Sequence, residues 1–466
     1  MALREFVGLW WLPEAPKRTL AGTLKVEEDG KSLLFIVGSF RELNEAQNRS
    51  PSLPIVLGAA SGKRITLIDA LETGSSIDFP GTTTTRISPT VTLLGAHAPP
   101  SREVTFLKAT ATYQNLHAWT GLSGFQQQFE DNDAGYLRSV TLRYEFPPTN
   151  DARIGGALFR LLRSVETVGR PFEPITLRET VHVEVSVKQP VSLTVLLDTH
   201  LRPFQDLLAL AIGEAVPLLT LRGVLAGPEE SHSPNQPLEI VFETGRPSGE
   251  GRVRLPDEML FTFADIQPRF ESALGRWLDR HEALAPVMNL YFATIFHQRM
   301  YLEQRFLALA QAAESYHRRT SQSTIVDAEA FRSLRAGLCA VVDEQQLDAE
   351  ARKMLKSKFN YLNEIPLKER LRELVAAEGA LTSLLIPDAA AFARLVGDTR
   401  NFLTHFDPLL DGKAAQGKGL FLLSEQLRFL IELIFLRELG FTLEERDVLV
   451  RKHERYQQRR QFLLAD

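Results

Sequence analysis

Two different spacings of apolar and polar positions run along this chain. Through about residue 265 the apolar positions come in short runs, TLAGTLKVEE, SLLFIVGSF, RITLIDAL, TVTLLG, VTFLKATATY, LRSVTLRYEF, TVHVEVSV and EIVFETG, separated by turn residues. Runs of this length and residue type predict strands, and so many of them predict an antiparallel sandwich or barrel, built as one body or as two lobes. LRPFQDLLALAIGEAV interrupts them as a predicted helix, with Pro217 expected to stop or bend it because proline lacks the backbone donor.

From Gln267 the spacing becomes three and four. FESALGRWLDRHEAL is followed by MNLYFATIFHQRMYLEQRFLALAQAAESYHRR, where Leu302, Phe306, Leu309 and Ala313 predict one long amphipathic helix. Further helices are predicted at DAEAFRSLRAGLCAVVDEQ, AEARKMLKSKFNYLNE, PLKERLRELVAAEGAL, DAAAFARLVGDTRNFLTHF and SEQLRFLIELIFLRELG, the last capped at Gly440. The expected fold class is α+β: a β-rich region over 1–265, then an all-α up-and-down bundle over 266–466. Composition agrees, since 41 of the 54 Gly and Pro residues fall in the first 265 positions.

Charge and cysteine content narrow the functional classes. A formal net charge of -5 argues against a protein that coats nucleic acid through a global positive field, while leaving room for a local RNA site. The single cysteine, Cys339, excludes an internal disulfide framework and a cysteine-clustered zinc site. The opening MALREFVGLWWLPEAP has no long apolar core, and no run of about 18 apolar residues occurs, so a cytoplasmic, non-membrane protein is expected. The ten histidines are scattered, so neither a metal site nor a cofactor is expected. GAASGKR around Gly58 departs from a phosphate loop in glycine spacing and in carrying Arg64 where Ser or Thr is required.

The segment Arg400-Asn401-Phe402-Leu403-Thr404-His405 carries the candidate chemistry. On an ideal helix Asn401 and His405 share a face, whereas Arg400 lies about 140° from His405 and must reach around. A helix start or kink at Asp398 or Thr399 is the alternative that changes this angle, and Pro408 predicts that the helix ends soon after His405. The three residue types suit cleavage of an RNA phosphodiester by its own 2′-hydroxyl. His405 would move the proton, Arg400 would hold the phosphate oxygens and stabilise the extra transition-state charge, and Asn401 would orient phosphate or imidazole. Such a scheme needs no metal. Spacing alone, however, more often describes a salt-bridged arginine and a satisfied histidine.

The context strengthens the chemical reading. RNFLTH resembles the Arg, four to six residues, His signature of HEPN ribonucleases, including a polar residue directly after the Arg. GLWWLPE, the GTL and GSF turns, PIVLG with ITLIDAL, LHAWTG and DTRNFLTHFD together resemble the ApeA family of anti-phage defence proteins over nearly the whole chain. The resemblance implies a β-rich N-terminal sensing or regulatory region over 1–265 and a C-terminal HEPN domain over 266–466. It also implies abortive-infection toxicity through RNA cleavage and a homodimer whose protomers share a cleft through the helical part. Arg400, Asn401 and His405 match the motif, while Glu314 and His317 on the first long helix are candidate supporting residues, with packing or solvent exposure as their competing reading. RNA, with transfer RNA as one expected substrate, and a phage-derived trigger at the N-terminal region are the implied partners. Two other readings stay open: a catalytically inactive RNA- or nucleotide-binding or protein-interaction module, and a glycan-binding β region with a helical appendage. The tail RKHERYQQRR is expected to be a solvated helical face, with RNA contact as its alternative.

Overall fold

A computed structural model describes residues 3–40, 52–77, 81–98, 104–133, 135–169, 172, 175–226, 237–244, 252–297 and 299–464. It divides into two compact units, Met1–Glu282 and Ala283–Asp466.

In the first unit a six-stranded barrel forms from β1 (Arg4–Trp11), β2 (Leu20–Val26), β3 (Ser32–Val37), β4 (Ser52–Ala60), β5 (Lys63–Ile77) and β6 (Thr83–Leu94). Neighbours run β6-β3-β2-β1-β4-β5, and antiparallel pairing of β5 with β6, from Ile65 opposite Leu94 onward, closes the ring. Closure leaves no exposed edge and lets alternate residues fill the interior. Phe6, Trp10, Leu24, Leu34, Ile36, Val56, Ile65, Leu67 and Ile87 form that core. Two glycines serve it directly. A side chain at Gly58 would run into the Trp10 indole, and Gly62, at φ +73 beside Ser61 at φ 51, makes the tight β4–β5 turn. GAASGKR is thus a hairpin.

The second lobe shares β6. The far half of β6 pairs with β14 (Leu238–Phe242), and the sheet continues through β13 (Leu218–Leu225), β7 (Thr105–Tyr113), β12 (Thr176–Ser192), β11 (Ala157–Val168) and β10 (Asn150–Ile154). Alternate residues of β11 and β12, among them Phe159, Leu161, Val181, Val183 and Val185, are buried. Short helices α1 (Leu116–Thr120) and α2 (Leu193–Leu196) lead up to the main one; a π-turn over Leu197–Leu201 connects α2 to α3 (Arg202–Ile212). Pro203 through Ile212 are all buried. Gly213, left-handed at φ 82 with its N–H bonded to Ala209 O at 2.9 Å, ends α3. The expected stop at Pro217 is therefore replaced by an earlier glycine cap, which satisfies the last carbonyls without a kink. Helices α4 (Phe263–Ile266) and α5 (Phe270–Ala283) complete this unit, and Trp277 Nε1 donates to Pro203 O at 2.7 Å.

The second unit contains α6 (Ala285–Phe296), α7 (Leu302–Thr320), α8 (Ala328–Glu344), α9 (Ala349–Phe359), α10 (Leu367–Glu378), α11 (Ala389–His405), α12 (Gly417–Glu438), α13 (Leu443–Lys452) and α14 (Glu454–Leu464). The run expected as one long helix is two, α6 and α7. His297 leaves helical geometry at ψ 81 and Tyr301 is extended before α7 begins; Gln298, within the same run, lies outside the described residues. The polar HQRMY stretch offers no apolar stripe to hold a continuous helix, and folding back lets α7 pack on α6. Helix α12 is buried nearly all round and ends as expected at Gly440, where Phe441 N–H reaches Leu436 O at 3.1 Å.

The basic tail is a correction to the solvated face. Arg455 and Tyr456 both donate to Glu432 in the middle of α12, joined by Tyr291 Oη at 2.7 Å and Arg428 Nε at 2.9 Å. Arg459 Nε reaches Glu425 at 2.9 Å. Burial opposes ionisation of Glu432, but the Arg455 and Arg428 guanidiniums and the Tyr456 phenol outweigh it and hold the carboxyl below its ordinary range. Among the described residues no single helix is long and apolar enough to cross a membrane.

Candidate active site

Helix α11 is fixed at both ends and along one side. Asp388 caps its start by accepting from Ala390 and Ala391 N–H, each at 2.9 Å. Phe392, Ala393, Val396 and Thr399, spaced by three and four, are buried. Thr399 Oγ1 accepts from Ala415 N–H at 2.9 Å, and Lys368 Nζ on α10 reaches Asp398 at 2.7 Å. The helix ends at His405, where Phe406 turns left-handed at φ 51 and its N–H bonds Phe402 O at 2.7 Å. No start or kink occurs at Asp398 or Thr399, so the ideal-helix angles apply to the motif.

Those angles split it into two pairs. Arg400 and Thr404, about 40° apart around the axis, face α7, while Asn401 and His405 lie on the adjacent side. Arg400 and Thr404 line a groove of about 480 Å³ together with Leu307, Gln311, Glu314 and Arg318 of α7. The Thr404 hydroxyl donates to Arg400 O at 2.7 Å, and Arg400 Nη1 donates to Asn401 Oδ1 at 3.2 Å. That amide is the link between the two pairs. His405 is exposed at the open end of the helix and makes no hydrogen bond or ion pair among the described residues.

Electrostatically, Arg400 is the cation of this groove that lacks a carboxylate partner among the described residues. Glu314 binds Arg318 at 3.1 Å, and Arg318 also binds Glu364 at 2.5 Å, so both cancel locally. Glu314 therefore shares the groove with Arg400. His317, on the other hand, is buried and turned away: Arg370 Nη1 donates to its Nδ1 at 3.1 Å, which leaves Nε2 to donate to Glu373 at 2.8 Å. Ser323 Oγ also donates to Glu373 at 2.7 Å, and the Ser323 and His317 bonds hold that carboxyl below its ordinary range. Thr404, Gln311 and Arg318 were not singled out from sequence. Their signal was present: Gln311, Glu314 and Arg318 repeat at three and four along α7, on the stripe with Leu307. Among the described residues no cluster of His, Cys, Asp and Glu is placed to hold a metal ion.

The arrangement offers a guanidinium in a groove with no carboxylate partner among the described residues, an amide bonded to it and an exposed imidazole at a helix end. A family model for ApeA N-terminal domain 1 matches residues 5–277, more than half of the chain. The chain belongs to the ApeA family. A second model, Apea-like HEPN, matches residues 307–445, which include Glu314, His317, Arg400, Asn401 and His405. The helical unit thus carries the HEPN domain of a nuclease-type defence protein, behind the ApeA N-terminal domain. No curated protein and no solved structure shows significant similarity to the chain.

Proposed function

We propose that this ApeA-family protein is an endoribonuclease that cleaves RNA without a metal ion, through Arg400, Asn401 and His405, and halts phage propagation in the infected cell. The 2′-oxygen attacks the adjacent phosphorus and loses its proton to a base, the P–O5′ bond breaks, and the 5′-oxygen takes up a proton. A 2′,3′-cyclic phosphate and a 5′-hydroxyl result. His405 serves one of the two proton transfers, Arg400 neutralises the pentacoordinate phosphate, and Asn401 positions Arg400 or the phosphate. The observation that carries this reading is Arg400 itself, aimed into a groove, bonded to Asn401 and without a carboxylate partner among the described residues.

Arg400 and His405 point about 140° apart on one regular helix, so a second protomer is the natural source of the missing half: a two-fold dimer would set the His405 of one chain near the Arg400 of the other. Glu314 shapes the groove by holding Arg318, while His317 acts through packing. The N-terminal unit restrains the nuclease and senses infection, in the cytoplasm, and transfer RNA is the favoured target because its loss stops translation quickly. The test is sequencing of RNA 5′-hydroxyl and cyclic-phosphate ends after induction of wild-type, Arg400→Ala and His405→Ala protein, with cleavage by purified protein repeated in EDTA. Wild-type-specific ends that survive EDTA are expected. Tight RNA binding with no new ends from any variant would replace this reading with a catalytically inactive binding module, which the outward divergence of Arg400 and His405 would favour in a strict monomer.

A further inference from the structure

The ApeA N-terminal domain contains a second, separate sheet of two strands, β8 (Phe125–Asp131) and β9 (Leu137–Tyr144), which pair with each other and with no other described strand. Its register sets Phe125 opposite Tyr144, Gln127 opposite Leu142 and Phe129 opposite Val140 on one face, and Gln126–Arg143, Gln128–Thr141 and Glu130–Ser139 on the other. One face is therefore apolar and the other polar. The apolar face is bare: Phe129 is 63% exposed, Val140 55% and Phe146, edge-on to Tyr144, 67%. A lone hairpin of this kind is marginal in water, and an uncovered apolar patch with a polar rim marks an interaction site.

The root of the hairpin is anchored. Glu179 of β12 is buried and accepts from Ser123 Oγ at 2.7 Å, Tyr144 Oη at 2.9 Å and Gly124 N–H at 3.3 Å, with His117 Nε2 at 3.4 Å and Arg163 Nε at 3.6 Å. Burial opposes the charge on Glu179, but the hydrogen bonds from Ser123, Tyr144 and Gly124, with His117 beside them, outweigh it and hold the carboxyl below its usual range. A carboxylate with so many donors pins the arm while leaving its length free. Neither outer strand edge pairs with another strand among the described residues, so the occupant that satisfies edge and face together is another strand. Charge selects its type. From Phe125 to Glu145 the arm carries Glu130, Asp131, Asp133 and Glu145 against Arg138 and Arg143, and three of the four acids sit at the tip.

We propose that the β8–β9 arm is the docking site for an extended segment of a polypeptide that is present only in infected cells, apolar at alternate positions and basic where it meets Glu130, Asp131 and Asp133. This rests on the defence reading above, since it places the trigger on the sensing unit. The test uses the full chain with a photoreactive benzoylphenylalanine in place of Val140, an exposed position whose replacement leaves the core untouched, irradiated in infected and uninfected bacteria. The expected result is one adduct specific to infection, mapped by mass spectrometry to a basic strand, and reduced at least tenfold by Glu130→Lys/Asp131→Lys/Asp133→Lys. An adduct with a second copy of the chain, an adduct equally strong without phage, or none at all overturns the proposal. RNA cleavage on overproduction without phage is measured in parallel with Phe129→Ser/Leu142→Ser and should equal wild type. Loss of that cleavage in wild type would sink the nuclease reading, while the adduct still judges the arm.

Discussion

Lowering the pH should destabilise the helical unit through one histidine, His453, between α13 and α14. The residue is buried, both ring nitrogens lack a hydrogen-bond partner among the described residues, and its ring centroid lies 4.7 Å from that of Tyr456. Burial, followed by the charge of Arg455, pushes its pKa down from 6.5 to about 3, with Glu432 opposing. The folded state therefore holds the imidazole neutral where the unfolded chain takes up a proton. In this window the unfolded state binds more protons, so stability is fully present above the ordinary value and is lost as pH falls from 6.5 toward 3. At pH 5 the loss amounts to about 2 kcal/mol, from about 1.4 kcal/mol per pH unit over the interval already crossed. The assay is urea denaturation of the full chain at pH 7.5 and pH 5, followed by far-ultraviolet circular dichroism at the helical minimum. Tryptophan fluorescence would report the wrong unit, because Trp10, Trp11, Trp119 and Trp277 all precede Ala283. His453→Gln cannot titrate, so its slope over the same interval should be flatter by that amount, whatever its absolute stability. Equal slopes in the two proteins would refute the reasoning and move the acid sensitivity to the carboxylates.

Other consequences can be measured in the same preparations. Arg400→Lys keeps the charge but loses the planar fork, so RNA cleavage should fall by roughly 10- to 100-fold, against complete loss in Arg400→Ala; equal activity of Lys and Arg would show that a point charge suffices. Gly58→Ala places a methyl against the Trp10 indole and should cost about 2 kcal/mol of barrel stability, read as a fall in the fluorescence-detected midpoint. Asp388→Ala removes the acceptor for two N–H groups at the start of α11 and should cost about 1 kcal/mol in the dichroism-detected transition. Glu432→Ala leaves Arg428 and Arg455 facing a buried void and should cost about 3–5 kcal/mol, with Tyr291 and Tyr456 losing their acceptor.

Much of this was legible from local rules. The change from short β-branched runs to three- and four-residue spacing marks the passage from β-rich to helical chain, the Gly440 cap is where the glycine stands, and the ApeA resemblance found in GLWWLPE and DTRNFLTHFD is matched by the two family models. Less legible was β11, ALFRLLRSVETV, whose residues are as compatible with a helix as with a strand. It becomes a strand because β10 and β12 offer ladder partners on both sides, a contact no window of sequence contains. The break between α6 and α7 and the ionic burial of the tail have the same origin. Arg455 and Arg459 read as solvated until α12 brings Glu432 and Glu425 within reach.

The order of the two architectures and the residue types of the candidate site were set by the sequence, because each depends only on neighbours along the chain; the angle between Arg400 and His405 was settled only once α11 ran unbroken through Asp398 and Thr399. Tertiary structure alone decided that β5 and β6 close a barrel, that Glu314 faces the Arg400 groove while His317 turns inward to Glu373, and that β8 and β9 stand apart with an apolar face uncovered. Those outcomes depend on which distant segments come into contact, and the free energy that selects them, from burial and from paired charges, exists only once the segments have met.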